Sequence, residues 1–292
     1  MCLSHYYSVF KTDILISNCY YSNIVYSGGS GAVVIILSTV LSLSILGSSF
    51  FNISLTGSDN GGCVYYYPSS GFLIVKMTCS QYCMCGFDGW PHGQFMWARI
   101  SQNDNMISES AFSMSERREN GLCTTAQFGG NIIIKHANYS FNNQFRCTAA
   151  LLSEGSTQNV SYTSFFNNTV LESRCIQFHS IESYLQYSNF VGNDSPVYGI
   201  ITTFNNAKLF VSFCSFQNNS DCICYCYLGS LNVDNSYSDK SIFIHVGAII
   251  NSMSIGTYLF PVSYLDICFK DQRTMYFQKK FFITMYFVSF II

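Results

Sequence analysis

Charge is what this 292-residue chain has least of. Asp, Glu, Lys and Arg make up 10% of it and the formal net charge is -2, about half the usual charged share. So neutral a surface has no field to gather nucleic acid or an acidic membrane face. Proline occurs four times and tryptophan twice, while aromatics reach 17%. Disordered chains show the reverse, rich in charge and proline and poor in aromatics. A secretory leader is not visible either. The opening residues, MCLSHYYSVFKTDILISNCYY, lack a basic start followed by a usable apolar run. Two expectations follow: the natural N-terminus lies upstream, or the chain begins in mid-repeat. A cytoplasmic protein is the alternative.

What is present is a repeat. Val160–Asn168 reads VSYTSFFNN, Leu185–Asn193 reads LQYSNFVGN and Val211–Asn219 reads VSFCSFQNN. Each alternates apolar residues, then gives Ser or Asn, Phe, and Asn three places later. Strand periodicity recurring at about 25 residues, with no helical face, predicts an all-β solenoid. The most regular part runs over 131–239. Strand pieces are expected at Val160–Phe165, Cys175–His179, Tyr184–Tyr187, Gly199–Thr203, Leu209–Phe213, Cys222–Tyr227 and Leu231–Asn235. Asn143, Asn168, Asn193 and Asn219 are expected as corner residues. Asn tolerates the left-handed backbone of a sharp turn, and its amide can donate to one neighbouring coil and accept from the other. Phe165, Phe190 and Phe216 are expected to stack inside.

The N-terminal half uses the same vocabulary more loosely. Ser48–Asn52 reads SSFFN, and Gly28-Gly29 and Gly61-Gly62 each precede an apolar run. The repeat is therefore expected over 14–240, with 79–120 as an irregular coil carrying a loop. The apolar run Gly31–Leu46 has two readings. A membrane helix needs about 20 apolar residues. This run is shorter and alternates Leu-Ser-Leu-Ser-Ile from Leu41 to Ile45, which is strand period. Ser241–Phe260 poses the same question. Residues 241–292 are expected as a terminal coil or cap with an apolar tail, FFITMYFVSFII at Phe281–Ile292. That tail reads as a truncated membrane span, a cap on the last coil, or the end of a degraded gene.

The coils resemble the right-handed parallel β-helix of the pectate-lyase-like superfamily, and more narrowly the predicted surface β-helix repeat proteins of parasitic protists. The resemblance implies a right-handed solenoid. It does not imply an activity, because the superfamily holds polysaccharide lyases and hydrolases, adhesins and members without known chemistry.

Chemistry-bearing residues are sparse. Polysaccharide hydrolysis needs grouped carboxylates as acid and base, and no two of the sixteen acidic residues are adjacent or one apart. Asp194 and Asp221 follow successive Asn corners and read more simply as solvated turn residues. His92 lacks a carboxylate partner at coil spacing. Cys79, Cys83 and Cys85 form one cluster of the fourteen cysteines, and Cys222, Cys224 and Cys226 another. Only Cys79 and Cys83 meet half of the usual zinc spacing. Cys147, Cys175 and Cys222 fall just past the corner, as a ladder of buried thiols would. Inter-coil disulfides and a metal are the other readings. Asn52, Asn138, Asn159, Asn167, Asn193 and Asn218 open N-x-S/T sequons.

The function expected is non-enzymatic: a cell-surface or secreted scaffold for adhesion or display. It would need no cofactor or metal, and would meet a host-cell or extracellular glycan or protein, not nucleic acid. Membrane association stays open. The alternatives are a glycan-active enzyme of the pectate-lyase-like kind and a truncated fragment of a larger surface protein.

Overall fold

The computed structural model describes residues 13–261, apart from 39–40, 58–59, 69–70, 86–91, 118–120, 173, 181, 221, 240–242 and 245–247. The described residues form strands and turns without a helix, so none is long and apolar enough to cross a membrane as a helix. The tail at 281–292, Asp221 and the Trp90-Pro91 pair lie outside the described residues.

The chain is a parallel β-solenoid. Three long parallel sheets of ten, nine and eleven strands run its length, each built by strands about one coil apart, and a small three-stranded sheet is added midway. One coil shows the plan. Arg174–His179 lies on the second, nine-stranded sheet, Glu182–Gln186 on the first, ten-stranded sheet, and Asn189–Val191 on the third. Alternation fixes the inward side of each strand. In the first sheet one inward column includes Leu43, Leu73, Ile132, Leu209 and Leu231, all fully buried.

Coil length changes along the molecule. In the early coils Asp13 pairs with Ser42, Ser42 with Phe72 and Leu73 with Asn105, so each turn takes in slightly more chain than the one before. In the middle Asn131 pairs with Thr157, Gln158 with Ser183 and Glu182 with Lys208, a shorter and nearly constant interval. The last coils shorten further, with Lys208 paired to Ser230 and Leu231 to Ala248. Gly31 stacks on Gly61, its N–H donating to that carbonyl at 3.0 Å. The two Gly-Gly pairs of the sequence are therefore not register partners.

The structure redraws several expected boundaries. Val160–Phe165 is two strands, Thr157–Ser161 and Ser164–Phe166, on different sheets. The chain turns at Tyr162, which has φ 50°. A tyrosine reads as a strand residue, so the turn is hidden in the sequence. Gly31–Leu46 divides into Val34–Ser38 and Ser42–Leu46 on two sheets. The stretch 79–120 is more regular than expected: Cys79–Gln81, Met96–Arg99, Asp104–Ser108 and Ala111–Ser113 all sit in register. Trp97 stacks on Tyr65 of the preceding coil, with centroids 4.8 Å apart.

Two corners bound the third sheet. The first is the column Asn18, Gly47, Met77, Glu109, His136, Tyr162, Tyr187, Phe213, every member at positive φ. The second runs through Tyr82, Met114, Phe141, Asn167, Gly192 and Asn218, likewise at positive φ. Bulky residues pay about 1–2 kcal/mol for that conformation. Ring stacking offsets it at the first corner, where His136, Tyr162, Tyr187 and Phe213 succeed one another at 5.0 Å.

Candidate functional site

The Asn edge is a hydrogen-bonded ladder. Asn142 Nδ2 donates to Asn168 Oδ1 at 3.0 Å, Asn168 Nδ2 to Asn193 Oδ1 at 2.9 Å, and Asn193 Nδ2 to Asn219 Oδ1 at 3.1 Å. Each amide also donates backwards, Asn193 Nδ2 to the Phe165 carbonyl at 2.8 Å and Asn219 Nδ2 to the Phe190 carbonyl at 2.8 Å. Each Oδ1 takes a backbone N–H as well, as Asn219 Oδ1 does from Asn193. One carboxamide thus joins three coils, and burial makes each bond costly to lose.

Asn143 is not a rung. It pairs with Thr169 in the small sheet, and Asn142 takes its place. The left-handed turn also belongs to the preceding residue, Phe141, Asn167, Gly192 or Asn218. Turn geometry and ladder bonding, expected of one residue, are divided between two. At Gly192 a Cβ would meet Asn167 Oδ1, the movable end of an exposed side chain.

Inside, Phe165, Phe190 and Phe216 stack at 4.5 and 5.1 Å, and Tyr139 extends the column at 5.5 Å. The column continues through Phe112, Phe95, Phe50 and Tyr21. Ser80 occupies the register position between Phe50 and Phe112, and Phe95 fills the space from the side. A polar network accompanies the rings. Gln127 Nε2 donates to Asn105 Oδ1 at 2.8 Å, and Thr125 Oγ1 and the Tyr139 hydroxyl lie 3.0 Å apart.

The sequons divide by exposure. Asn52, Asn159, Asn167 and Asn218 are exposed, whereas Asn138 and Asn193 are buried. Asn52, Asn167 and Asn218 stand on the same corner edge, each at positive φ. Asn52 Nδ2 donates to Asn23 Oδ1 of the coil before at 2.7 Å.

Of the carboxylates considered for catalysis, Asp194 lies among the described residues and Asp221 outside them. Asp194 is exposed, next to the Asn193 rung. Asp13 accepts from Ser42, Glu182 from Tyr184 and Asp104 from Asn131. Glu109 pairs with Lys76 and Glu154 with Arg99. None of these contacts brings two carboxylates together. His92 lies edge-on to Phe128, and burial lowers its pKa to about 4. Among the described residues no group of three His, Cys, Asp or Glu could hold a metal ion.

Cys63, Cys83, Cys85, Cys123, Cys147, Cys175, Cys214, Cys224 and Cys226 are buried thiols outside any disulfide. Burial pushes Cys147 and Cys214 up to about 12, so they pack as small apolar groups and not as nucleophiles. Cys79 is disulfide-bonded.

Two arrangements were hidden from the sequence. On the second sheet Arg174 lies 4.6 Å above the Phe204 ring, which stacks on His179 at 5.2 Å. Burial, with Arg174 adding to it, lowers His179 to about 4. On the third sheet a groove runs between the two corners. Its floor is the outward column Ser49, Cys79, Ala111, Asn138, Ser164, Asn189, Ser215, in continuous register. One wall is the His136–Phe213 ring column. The other includes Phe51 against Tyr82 and Phe141 against Phe166. Its signal in the sequence is a small or amide residue two places after each corner, legible only once the corner is located.

No protein-family model, curated protein or solved structure matches the chain.

Proposed function

We propose that this protein is a non-enzymatic parallel β-helix of a cell surface or extracellular space, used for adhesion or display. In this reading it is kin to the pectate-lyase-like β-helices and to the surface repeat proteins of parasitic protists, and its ligand is a host-cell or extracellular glycan or protein. The observation that carries the reading is the exposed corner on which Asn52, Asn167 and Asn218 align. Three acceptors on one edge would clothe that edge in glycan and leave the first sheet's outer side open. Low charge and a regular outer surface suit contact with extended, uncharged ligands.

The test is labelling of intact cells with a membrane-impermeant reagent, followed by enzymatic deglycosylation. Labelling with a fall in mass on glycan removal is the expected result. A full-length chain that is neither labelled nor shifted would refute the reading.

A further inference from the structure

The buried thiol Cys83 stands where later coils carry a ladder asparagine. It follows Tyr82 at the left-handed corner, as Asn142 follows Phe141 and Asn168 follows Asn167. Its Sγ lies 3.7 Å from the carbonyl of Phe50, a core ring of the coil before. The Asn168 amide meets the carbonyl of Tyr139 in the same way, at 2.9 Å. Ser115 holds the position one coil after Cys83, and its N–H donates to Asn142 Oδ1 at 3.0 Å. The carboxamides therefore stop at Asn142, and two coils before it the same position holds a thiol.

A second thiol faces that position. Cys63 immediately precedes the strand Val64–Pro68 of the second sheet. The register runs from Val64 through Met96, Thr125 and Ala150 to Ile176. Cys63 and Cys175, each one place before a member of that series, therefore stand in one column. Cys175 shows what the column reaches: its Sγ lies 3.9 Å from Asn193 Oδ1, the rung of its own coil. Cys63 makes the corresponding contact in its own coil, its thiol hydrogen-bonded to Cys83. The backbone agrees, since a Cβ on Gly62 would meet the Met84 carbonyl oxygen at 2.9 Å. Both thiols are fully buried, in the same apolar core.

We propose that Cys63 and Cys83 are an oxidation site, and that their disulfide closes this coil into a covalent ring where the carboxamide ladder has stopped. Thiols already in contact need less movement to bond than a bridge imposed on distant residues. Closing the bond removes two thiol protons and two electrons. Oxidised glutathione takes up the electrons and leaves as two reduced molecules, by exchange through a mixed disulfide. Both sulfurs are buried in the finished coil, so the exchange takes place as the coil folds. The bond ties the corner to the second sheet within one turn, whereas the carboxamides farther along tie one turn to the next. In the cell this rests on the oxidising compartment of the proposed function; in the tube it does not.

The full chain is refolded from its reduced, unfolded state in a glutathione redox buffer, alkylated, and mapped without reduction. Cleavage at Met84 separates Cys83 from Cys85, and cleavage at Tyr82 separates it from Cys79. The expected product joins the Cys63 peptide to the Cys83 peptide within one chain and comes apart on reduction. Alkylated Cys63 and Cys83, a Cys63–Cys85 link, or a bond from Cys83 to any other cysteine would overturn the pairing. Fastening is read separately by denaturant titration of the oxidised and the reduced chain. Oxidation is expected to raise the folding equilibrium constant at least tenfold more in the parent than in Cys63→Ser. Cys83→Asn, which puts the ladder's own residue at that corner, is the second variant and is expected to show the same smaller gain. A gain in either variant equal to that of the parent would remove the ring. Neither readout depends on where the protein resides, so failure of the surface labelling and failure of the ring are distinguishable.

Discussion

The coils before Ser115 and those from Asn142 to Asn219 close the same corner by different means. In the early coils Asn23 and Asn52 share one exposed bond of 2.7 Å. Successive turns there lengthen: Cys19 and Ser48 meet across 29 positions, Thr78 and Ser110 across 32. Ring contacts turn to 70° and 40° around Phe95. In the later coils a buried carboxamide binds both neighbours, and the rungs stand 26, 25 and 26 positions apart. The rings of those coils lie within 6–15° of parallel. A residue that must reach the coil on either side fixes their spacing. Where the corner makes no such demand, insertions are tolerated, because longer loops cost little additional closure entropy.

The largest effect expected on this contrast comes from the rings. Phe190→Ala removes a fully buried side chain stacked on both faces and is expected to cost about 3–5 kcal/mol in denaturant titration. Phe95→Ala, whose tilted rings overlap less, is expected at the lower end of that range. A loss under about 1 kcal/mol for Phe190→Ala would place it outside the core.

The ladder comes next. Asn193→Ala strands the buried amide of Asn168 and the carbonyl of Phe165 and is expected to cost about 3 kcal/mol. Asn52→Ala loses an exposed bond and sets alanine at a positive φ that asparagine tolerates better, for an expected cost of about 1 kcal/mol. Equal losses at the two sites would erase the distinction between the stretches.

Acid should act on both stretches, through His92 in the early coils and His179 in the later ones. Each has a folded pKa lowered to about 4, by burial at His92 and by burial with Arg174 at His179. The unfolded chain, titrating near the ordinary value of about 6.5, binds the proton more readily. Their contribution is whole above about pH 6.5 and is lost as pH falls towards 4. A loss of about 2 kcal/mol is expected for the pair, allowing for partial exposure. His92→Gln and His179→Gln should each flatten the profile, and a profile unchanged in the double variant would disprove the assignment.

The smallest effect concerns the strained corner. Tyr162→Ala loses two ring contacts and keeps the positive φ, for an expected cost of about 1–2 kcal/mol. Tyr162→Gly loses the same contacts but relieves the backbone, so it should be no worse than the alanine. A glycine variant clearly less stable than the alanine one would show that the corner is not strained.

These contrasts also mark what the sequence disclosed. The motif at Val160–Asn168 and its two successors carried the register of the later coils, because identical residues stack on themselves. Asn142 stands 26 places before Asn168 with Tyr139 in place of Phe, so neither an exact 25-residue spacing nor the Phe motif picks it out. A rule framed on ring shape would have found it. Turns at Tyr162 and Tyr187 stayed hidden because their left-handed backbone is stabilised by rings in other coils, which no local preference records. The groove was illegible for the same reason: Asn189 looks like any strand residue until Phe260, 71 positions later, lies across it.

The carboxamides of Asn142, Asn168, Asn193 and Asn219 all point the same way. The molecule therefore has two unlike ends, as a filament subunit does. A finished coil presents an amide N–H to whatever follows, and the next coil answers with an oxygen. Each rung thus turns its donor towards the C-terminal side, and among the described residues the last rung is Asn219.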